Sequence, residues 1–262
     1  PDGRVLYVSR GNIGDVVAFD LLTGNMMWRR FLGPGRSDHM TITPDGRYLF
    51  LAVMGQDQVA RIDTRTGRVD GTFKAGPHPH DLQVTPDGRR VFNASLGDMA
   101  KPEAERNIAS SSDPADIPYQ ITEAEVATMK IIKRHRFPRG IRPFHLSPDQ
   151  RLAYAQHSNQ HDVIAYDFAK DRIVQTLNLP GVTKDDWDFD APHHGLAMTE
   201  DGATLCLAGR ASDYAAIVST APLKLVATVP TDDAPSWAVL DRAGQRCLVA
   251  NTRADTVSVV SV

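Results

Sequence analysis

A unit of about 42 residues recurs along this chain, and this repeat constrains the fold more than any other feature. One complete copy runs from Asp38 to Phe73, where turn signals such as Pro-Asp-Gly and Thr-Gly separate four short β-rich runs. The Pro-Asp-Gly turn or a variant of it begins at residues 1, 44, 86, 148, 200 and 242, so most steps are 42 or 43 residues and two are longer, 62 and 52. A period near 42 residues with four strands per unit is typical of a β-propeller blade. The sequence therefore predicts an all-β protein, a β-propeller of four-stranded antiparallel blades with six repeats visible.

We label the strands of a blade A to D from the central channel outward and expect a single propeller domain over residues 1–262. The first blade shows only strands B, C and D, and the last shows only strands A, B and C. Propellers usually close by pairing terminal strands within one blade. Either ordered ends have been trimmed from a larger ring, or six blades close with two strands fewer than usual, and we favour the first.

Two insertions interrupt the repeat. Residues 97–118 are polar and rich in proline and serine, and residues 180–192 are acidic. We expect the first to be mobile, because its composition cannot bury enough apolar surface to offset the entropy of ordering. Since consecutive strands are antiparallel, the A–B and C–D turns share one rim, and both insertions fall on the other.

Several segments resemble a known repeat family. PDGRRVFNAS, QVARIDTRTGRV and RCLVANTRADTVSVVSV are similar to the bacterial YVTN-type β-propeller repeat, and IRPFHLSPD with APHHGLAMTEDG resembles an actinobacterial-type branch of it. The resemblance implies a seven-bladed ring, often exported, and therefore a periplasmic, cell-surface or secreted location. Relatives in this wider group include surface-layer proteins, lactonases and the haem d1 propeller of nitrite reductase. The resemblance does not supply an activity.

Composition narrows the classes of partner. A formal charge of −3 and a pI near 6.3 give no reason to expect nucleic acid. No apolar run approaches the roughly 20 residues of a membrane span. Cys206 and Cys247 fall in the second strands of successive blades, one register step apart, and we interpret them as small buried apolar residues rather than a disulfide.

The histidines are distributed unevenly between the two predicted rims. Of nine histidines, only His135 and His145 lie away from the insertion-bearing rim. The other seven lie on it: His39, His78, His80, His157, His161, His193 and His194. Function commonly resides in variable loops on a rigid scaffold, so this rim is the predicted functional face.

The predicted site lies at the channel mouth on this rim, where the strands A begin. It is predicted to bind a small-molecule or protein ligand through Asp38, His39, His80, Asp81, Arg142, His194, Trp187 and Trp237. Within this set, His39, His80 and His194 are candidate ligands for a divalent or transition metal such as Zn²⁺, Cu²⁺ or Fe, because imidazoles suit these ions. Histidine and arginine together would instead suit an anionic ligand. Hydrated channel lining without a ligand is the third interpretation.

Three functions remain open on the sequence alone. The first is a ligand-binding or interaction propeller. The second is a metal-dependent enzyme at the same site, either a lyase or lactonase or a copper or haem oxidoreductase. The third is a purely architectural repeat protein. The segregation of the histidines argues against the third, and the absence of a fixed-spacing catalytic motif favours the first over the second.

Overall fold

The computed structural model describes residues 3–100, 118–181 and 191–262, and these ranges form an all-β six-bladed β-propeller fold. The chain divides into two compact units, Pro1–Gly140 and Ile141–Val262, with three antiparallel blades each. The predicted fold class is confirmed. The first and last blades have three strands each in the described residues, and the four blades between them have four.

The first unit contains eleven strands, which follow the chain order within every blade. Blade one consists of β1 (Val5–Arg10), β2 (Asp15–Asp20) and β3 (Met26–Phe31). Blade two consists of β4 (Ser37–Ile42), β5 (Tyr48–Val53), β6 (Gln58–Asp63) and β7 (Val69–Lys74). Blade three consists of β8 (Pro79–Val84), β9 (Arg90–Ser95), β10 (Gln120–Glu125) and β11 (Ile131–Arg136). Short 3₁₀ turns at Met54–Gln56 and Gly97–Ala100 follow β5 and β9.

The second unit repeats this arrangement with another eleven strands. Blade four consists of β12 (Ile141–Leu146), β13 (Leu152–His157), β14 (Asp162–Asp167) and β15 (Arg172–Asn178). Blade five consists of β16 (Leu196–Met198), β17 (Thr204–Gly209), β18 (Tyr214–Thr220) and β19 (Leu223–Pro230). Blade six consists of β20 (Pro235–Leu240), β21 (Arg246–Asn251) and β22 (Thr256–Ser261).

The turn between the first two strands of a blade is fixed by its own side chains. In the turn at Thr43, the hydroxyl donates to Asp45 Oδ1 at 2.6 Å, and the same carboxylate accepts from the Arg47 amide at 3.0 Å. The pKa of Asp45 is lowered mainly by the Thr43 hydrogen bond. The same turn recurs at Ser147, where Gln150 occupies the glycine position at φ +60°. The turn therefore tolerates the loss of its glycine because the hydroxyl–carboxylate pair is retained.

Apolar layers between consecutive blades form the core of each unit. In the first unit, Phe50 and Val59 of blade two pack against Leu82 and Val91 of blade three. In the second unit, Tyr154 and Val163 of blade four lie in one cluster with Leu205 and Val218 of blade five. Burying a large apolar side chain contributes about 1.5–3 kcal/mol, so these layers hold successive blades together.

A disulfide joins two blades of the second unit, and the interpretation of its cysteines as unpaired is wrong. Cys206 of β17 and Cys247 of β21 are bonded, fully buried, and have Cα atoms 6.5 Å apart. Their separation of 41 residues is one less than the 42-residue step between the turns of these blades. A shift of one residue reverses the face to which a strand side chain points. The two thiols therefore face each other across the space between neighbouring blades.

The two insertions fall largely outside the described residues. Residues 101–117 lie in the connection between β9 and β10, and residues 182–190 lie in the connection between β15 and β16. The predicted mobility of residues 97–118 and the predicted capping role of Trp187 concern this part of the chain, so both remain predictions. Within the described ranges, no helix has the length and apolarity that crossing a bilayer requires.

Candidate functional site

The inner strands of blades two and three carry the same two residue types in opposite order. Blade two has Asp38–His39 on β4, and blade three has His80–Asp81 on β8, 42 residues further along the chain. The two strands are neighbours, so each histidine lies near the carboxylate at the equivalent position of the adjacent blade. The blade repeat thus brings together four of the predicted site residues.

The geometry of this group places both imidazoles around one carboxylate. His39 Nε2 lies 4.0 Å from Asp38 Oδ1, and His80 Nε2 lies 3.9 Å from Asp38 Oδ2. The two rings are 4.2 Å apart between centroids, at 62° to each other. Asp38 Oδ2 is buried and has no hydrogen-bond partner among the described residues. A buried carboxylate oxygen without a hydrogen bond is costly, so this arrangement favours a bound cation.

Hydrogen bonding orients His39. Its Nδ1 lies 3.1 Å from Asp81 Oδ1, so an Nδ1–H donates to that carboxylate and Nε2 faces Asp38. Burial lowers the pKa of His39, but the hydrogen bond to Asp81 and the charges of Asp81 and Asp38 outweigh it, and the pKa is raised overall. Arg36 Nη2 contacts Asp38 Oδ1 at 3.1 Å and partly balances the negative charge. The site is therefore an anionic pocket that holds imidazoles.

In the second unit, His194 and Trp237 lie together. His194 Nδ1 donates to the carbonyl of Ser236 at 2.8 Å, and its ring lies 5.7 Å from that of Trp237. Gly195 takes a φ of +91°, and a side chain there would collide with the Trp237 backbone at 2.6 Å. This close approach fixes the backbone beside His194. The hydrogen bond to Ser236 fixes its tautomer and leaves Nε2 as the atom able to bind a ligand.

The adjacent His193 has a different environment. It is fully buried, and its Nε2 lies 2.7 Å from the hydroxyl of Tyr214, which donates to the Pro180 carbonyl at 2.6 Å. Burial lowers the pKa of His193 to about 3, helped by the charge of His161, whose ring is 4.9 Å away. His193 is therefore a neutral core residue, as expected when two successive side chains of an extended segment point to opposite sides.

Two of the three histidines that the sequence singles out as candidate metal ligands lie together. His39 and His80 belong to the first unit and lie on either side of Asp38. The third, His194, belongs to the second unit.

The remaining predicted site residues are Arg142, Trp187 and Trp237. Arg142 lies on β12 and is 6 % exposed, and Trp237 on β20 is 37 % exposed. Trp187 lies outside the described residues. Sequence reasoning missed Arg36, which directly precedes β4 and donates to Asp38 Oδ1. Its signal was available, because it lies only two residues before Asp38 in the sequence.

A large groove on the opposite side of the first unit is not a second site of this kind. It has a volume of about 1010 Å³ and is lined by turn residues including Asp45, Asp87 and Arg89. Asp87 accepts from the Thr85 hydroxyl at 2.6 Å and the Arg89 amide at 3.1 Å, so its carboxylate is used within its own turn. The groove follows from the turn geometry and holds no histidine.

Comparison with known proteins supports only the fold. No protein-family model matches the sequence, and no curated protein matches it. Solved structures do resemble it: Kuenenia stuttgartiensis hydrazine synthase shares 19 % identity at a TM-score of 0.63, covering 100 % of this chain and 93 % of that one. A functionally unknown protein from Desulfotomaculum acetoxidans DSM 771 shares 17 % identity at a TM-score of 0.74, covering 97 % and 78 %. A chain of the mitotic checkpoint complex shares 13 % identity at a TM-score of 0.77, covering 100 % and 72 %. At these identities the likeness concerns the propeller alone.

Proposed function

We propose that this protein is a ligand-binding propeller whose site, in the first unit, contains a divalent transition-metal ion held by His39 and His80. The observation that carries the proposal is the buried carboxylate of Asp38, which has an imidazole Nε2 about 4 Å from each of its oxygens and one oxygen without a hydrogen bond among the described residues. An ion bound to these nitrogens would supply the positive charge that this buried group requires.

The surroundings of the histidines fit metal ligation. Ligating imidazoles usually donate their second ring N–H to a carboxylate or a backbone carbonyl, which fixes the tautomer. His39 has such a partner in Asp81. Imidazole ligands suit Zn²⁺ or Cu²⁺, with nitrogen–metal distances near 2.0–2.1 Å for zinc.

Two imidazole ligands leave a coordination position open. In four-coordinate zinc sites an open position takes water or a small molecule, and the ion then acts as a Lewis acid. The proposed site would therefore bind a ligand through the metal. A metal-dependent lyase or lactonase reaction would use the same open position.

Metal binding to purified protein tests the proposal. We expect an untagged preparation, stripped with EDTA and desalted, to take up one equivalent of Zn²⁺ per chain in isothermal titration calorimetry. His39→Gln and His80→Gln should each weaken zinc binding by more than about tenfold, because each removes a direct ligand.

His145→Gln is the matched control, because His145 lies on an inner strand but outside the group. It should leave zinc binding unchanged. Equal zinc binding by the unaltered protein and by a folded double variant of His39 and His80, with folding checked by circular dichroism, would refute the metal site.

We further propose that the chain is a YVTN-type bacterial repeat protein that acts outside the cytoplasm. The Cys206–Cys247 disulfide supports export, because structural disulfides persist mainly in oxidising compartments. Detection of the native protein in a periplasmic, cell-surface or culture-medium fraction would test this, and its recovery only from the cytosol would contradict it.

A further inference from the structure

The outermost strand of blade six, β22, has an open edge. It pairs with β21 on one side, and no strand in the described part of the chain pairs with its other side. In blades two to five, by contrast, the third strand is paired with a fourth. An open edge presents a row of backbone N–H and C=O groups that can accept a further strand.

The sequence of β22 does not protect this edge. Proteins commonly place charged residues or proline on outer strands, because these residues oppose pairing with another strand. The outermost strands of blades one to five all carry charge: Arg29 in β3, Lys74 in β7, Lys133 in β11, Arg172 in β15 and Lys224 in β19. The sequence of β22 is Thr-Val-Ser-Val-Val-Ser, without a charge or a proline. Its composition therefore suits a strand inside a sheet rather than one at the edge.

The repeat shows that the exposed face of β22 is a packing surface. Val257 of β22 corresponds to Ala215 of β18, which lies 42 residues earlier. In the same way, Val259 corresponds to Ile217. Ala215 and Ile217 are 0 % and 6 % exposed, because they pack in one apolar cluster with Val249 of blade six. Val257 and Val259 are 61 % and 59 % exposed.

Blade five shows how a fourth strand contributes to such a surface. Its fourth strand, β19, pairs antiparallel with β18 and places Val229 opposite Ala215. Val229 packs against the same apolar cluster as Ala215. A fourth strand paired with β22 in this register would place an apolar side chain beside Val257.

We infer that β22 binds an extended segment of a partner protein, which adds an antiparallel fourth strand to blade six. In this mode of recognition, main-chain hydrogen bonds supply affinity and side chains at alternate positions supply specificity. The segment carries apolar residues at alternate positions, as β19 does at Leu223 and Leu225, and these residues cover Val257 and Val259. The surface belongs to the second unit and involves neither histidine of the proposed metal site.

Binding of a synthetic peptide tests the inference. The probe is a fluorescein-labelled peptide with the sequence of β19, and we expect it to bind the intact protein in fluorescence anisotropy. A peptide with proline in place of the alanine of this sequence should bind at least about tenfold more weakly, because proline cannot donate to a strand ladder. Val257→Asp in the protein should weaken binding by about tenfold or more, because it places a carboxylate against apolar side chains.

Val226→Asp is the matched control, because Val226 is a valine of β19 in the same unit and is 64 % exposed. It should leave peptide binding unchanged. Hydrogen exchange provides a second readout, since the peptide should slow the exchange of β22 amides and leave that of β19 amides unchanged. If Val257→Asp does not fold, Val257→Ser and the hydrogen exchange of the unaltered protein decide the question.

Four results would overturn the inference. The first is no binding of the β19 peptide at millimolar concentration, and the second is equal peptide affinity in the unaltered protein and folded Val257→Asp. The third is faster exchange of β19 amides with peptide, which would show that the peptide replaces β19 in blade five. The fourth is a dimer in analytical ultracentrifugation that Val257→Asp abolishes, which would show that β22 pairs with a second copy of this chain instead.

Discussion

Loss of the disulfide should destabilise the protein by an amount that follows from its position in the chain. Cys206 and Cys247 close a loop of 41 residues. Cross-linking a loop of that length removes chain entropy from the unfolded state worth about 4 kcal/mol, between the values of about 3 for 15 residues and 4.7 for 100. For a chain of this size, this corresponds to a fall in melting temperature of roughly 10 °C.

Urea unfolding of oxidised and reduced protein measures this difference. Both sulfurs are fully buried, so the protein must be reduced in denaturant and then refolded with dithiothreitol present. The double variant Cys206→Ala with Cys247→Ala is the control, because dithiothreitol should not change its stability. The reasoning fails if alkylation of denatured, unreduced protein labels two thiols, or if oxidised and reduced proteins unfold at the same urea concentration.

Three further predictions follow from the geometry. Burial lowers the pKa of His193 from 6.5 to about 3. As the pH falls below 6.5, this histidine is protonated in the unfolded state but not in the folded state. The free energy of unfolding therefore decreases between pH 6.5 and about 3. The free energy of unfolding decreases by about 1.4 kcal/mol per pH unit. Urea titrations of His193→Gln should not show this pH-dependent decrease. The pKa of His39 is raised, so zinc competes with a proton for this imidazole, and zinc affinity should rise with pH up to that pKa. Asp81→Asn should lower the pKa of His39 and shift the calorimetric pH profile of zinc binding to lower pH. Arg61 is 8 % exposed and bonds to Asp70 at 2.7 Å and to the carbonyl of Ala127 at 2.8 Å, so Arg61→Ala should cost about 2–3 kcal/mol in urea unfolding.

Local chemistry explains why the fold could be predicted from the sequence. Blades two to five begin their first hairpin with a hydroxyl and a carboxylate two residues apart, and this pair closes the turn without help from distant residues. The turn can therefore be recognised even where its glycine is replaced, as in the Ser-Pro-Asp-Gln turn with Gln150 at φ +60°. Because the turns define the step, blade positions could be counted directly from the sequence.

Counting positions also explains what was missed. The step of 41 residues between the cysteines, against 42 between their turns, shows that they point to opposite faces of successive blades. Together with the burial of both side chains, this difference in step predicts a disulfide between the two cysteines. The sequence analysis instead favoured unpaired cysteines. Arg36 was missed for a different reason: it precedes the inner strand β4, and the counting of site positions began at Asp38.

The inverted order of aspartate and histidine in blades two and three is the feature that best connects the repeat with the site. A repeat with identical residues would place aspartate against aspartate and histidine against histidine at equivalent positions, and like charges at such distances repel. In this chain the order Asp38–His39 is reversed to His80–Asp81, so that His39 bonds to Asp81 and His80 lies 3.9 Å from Asp38. Such an inversion would not stabilise a turn, because the contacts of a turn lie within one blade. An inversion that pairs each imidazole with the carboxylate of the next blade is what a shared binding site between two neighbouring blades requires.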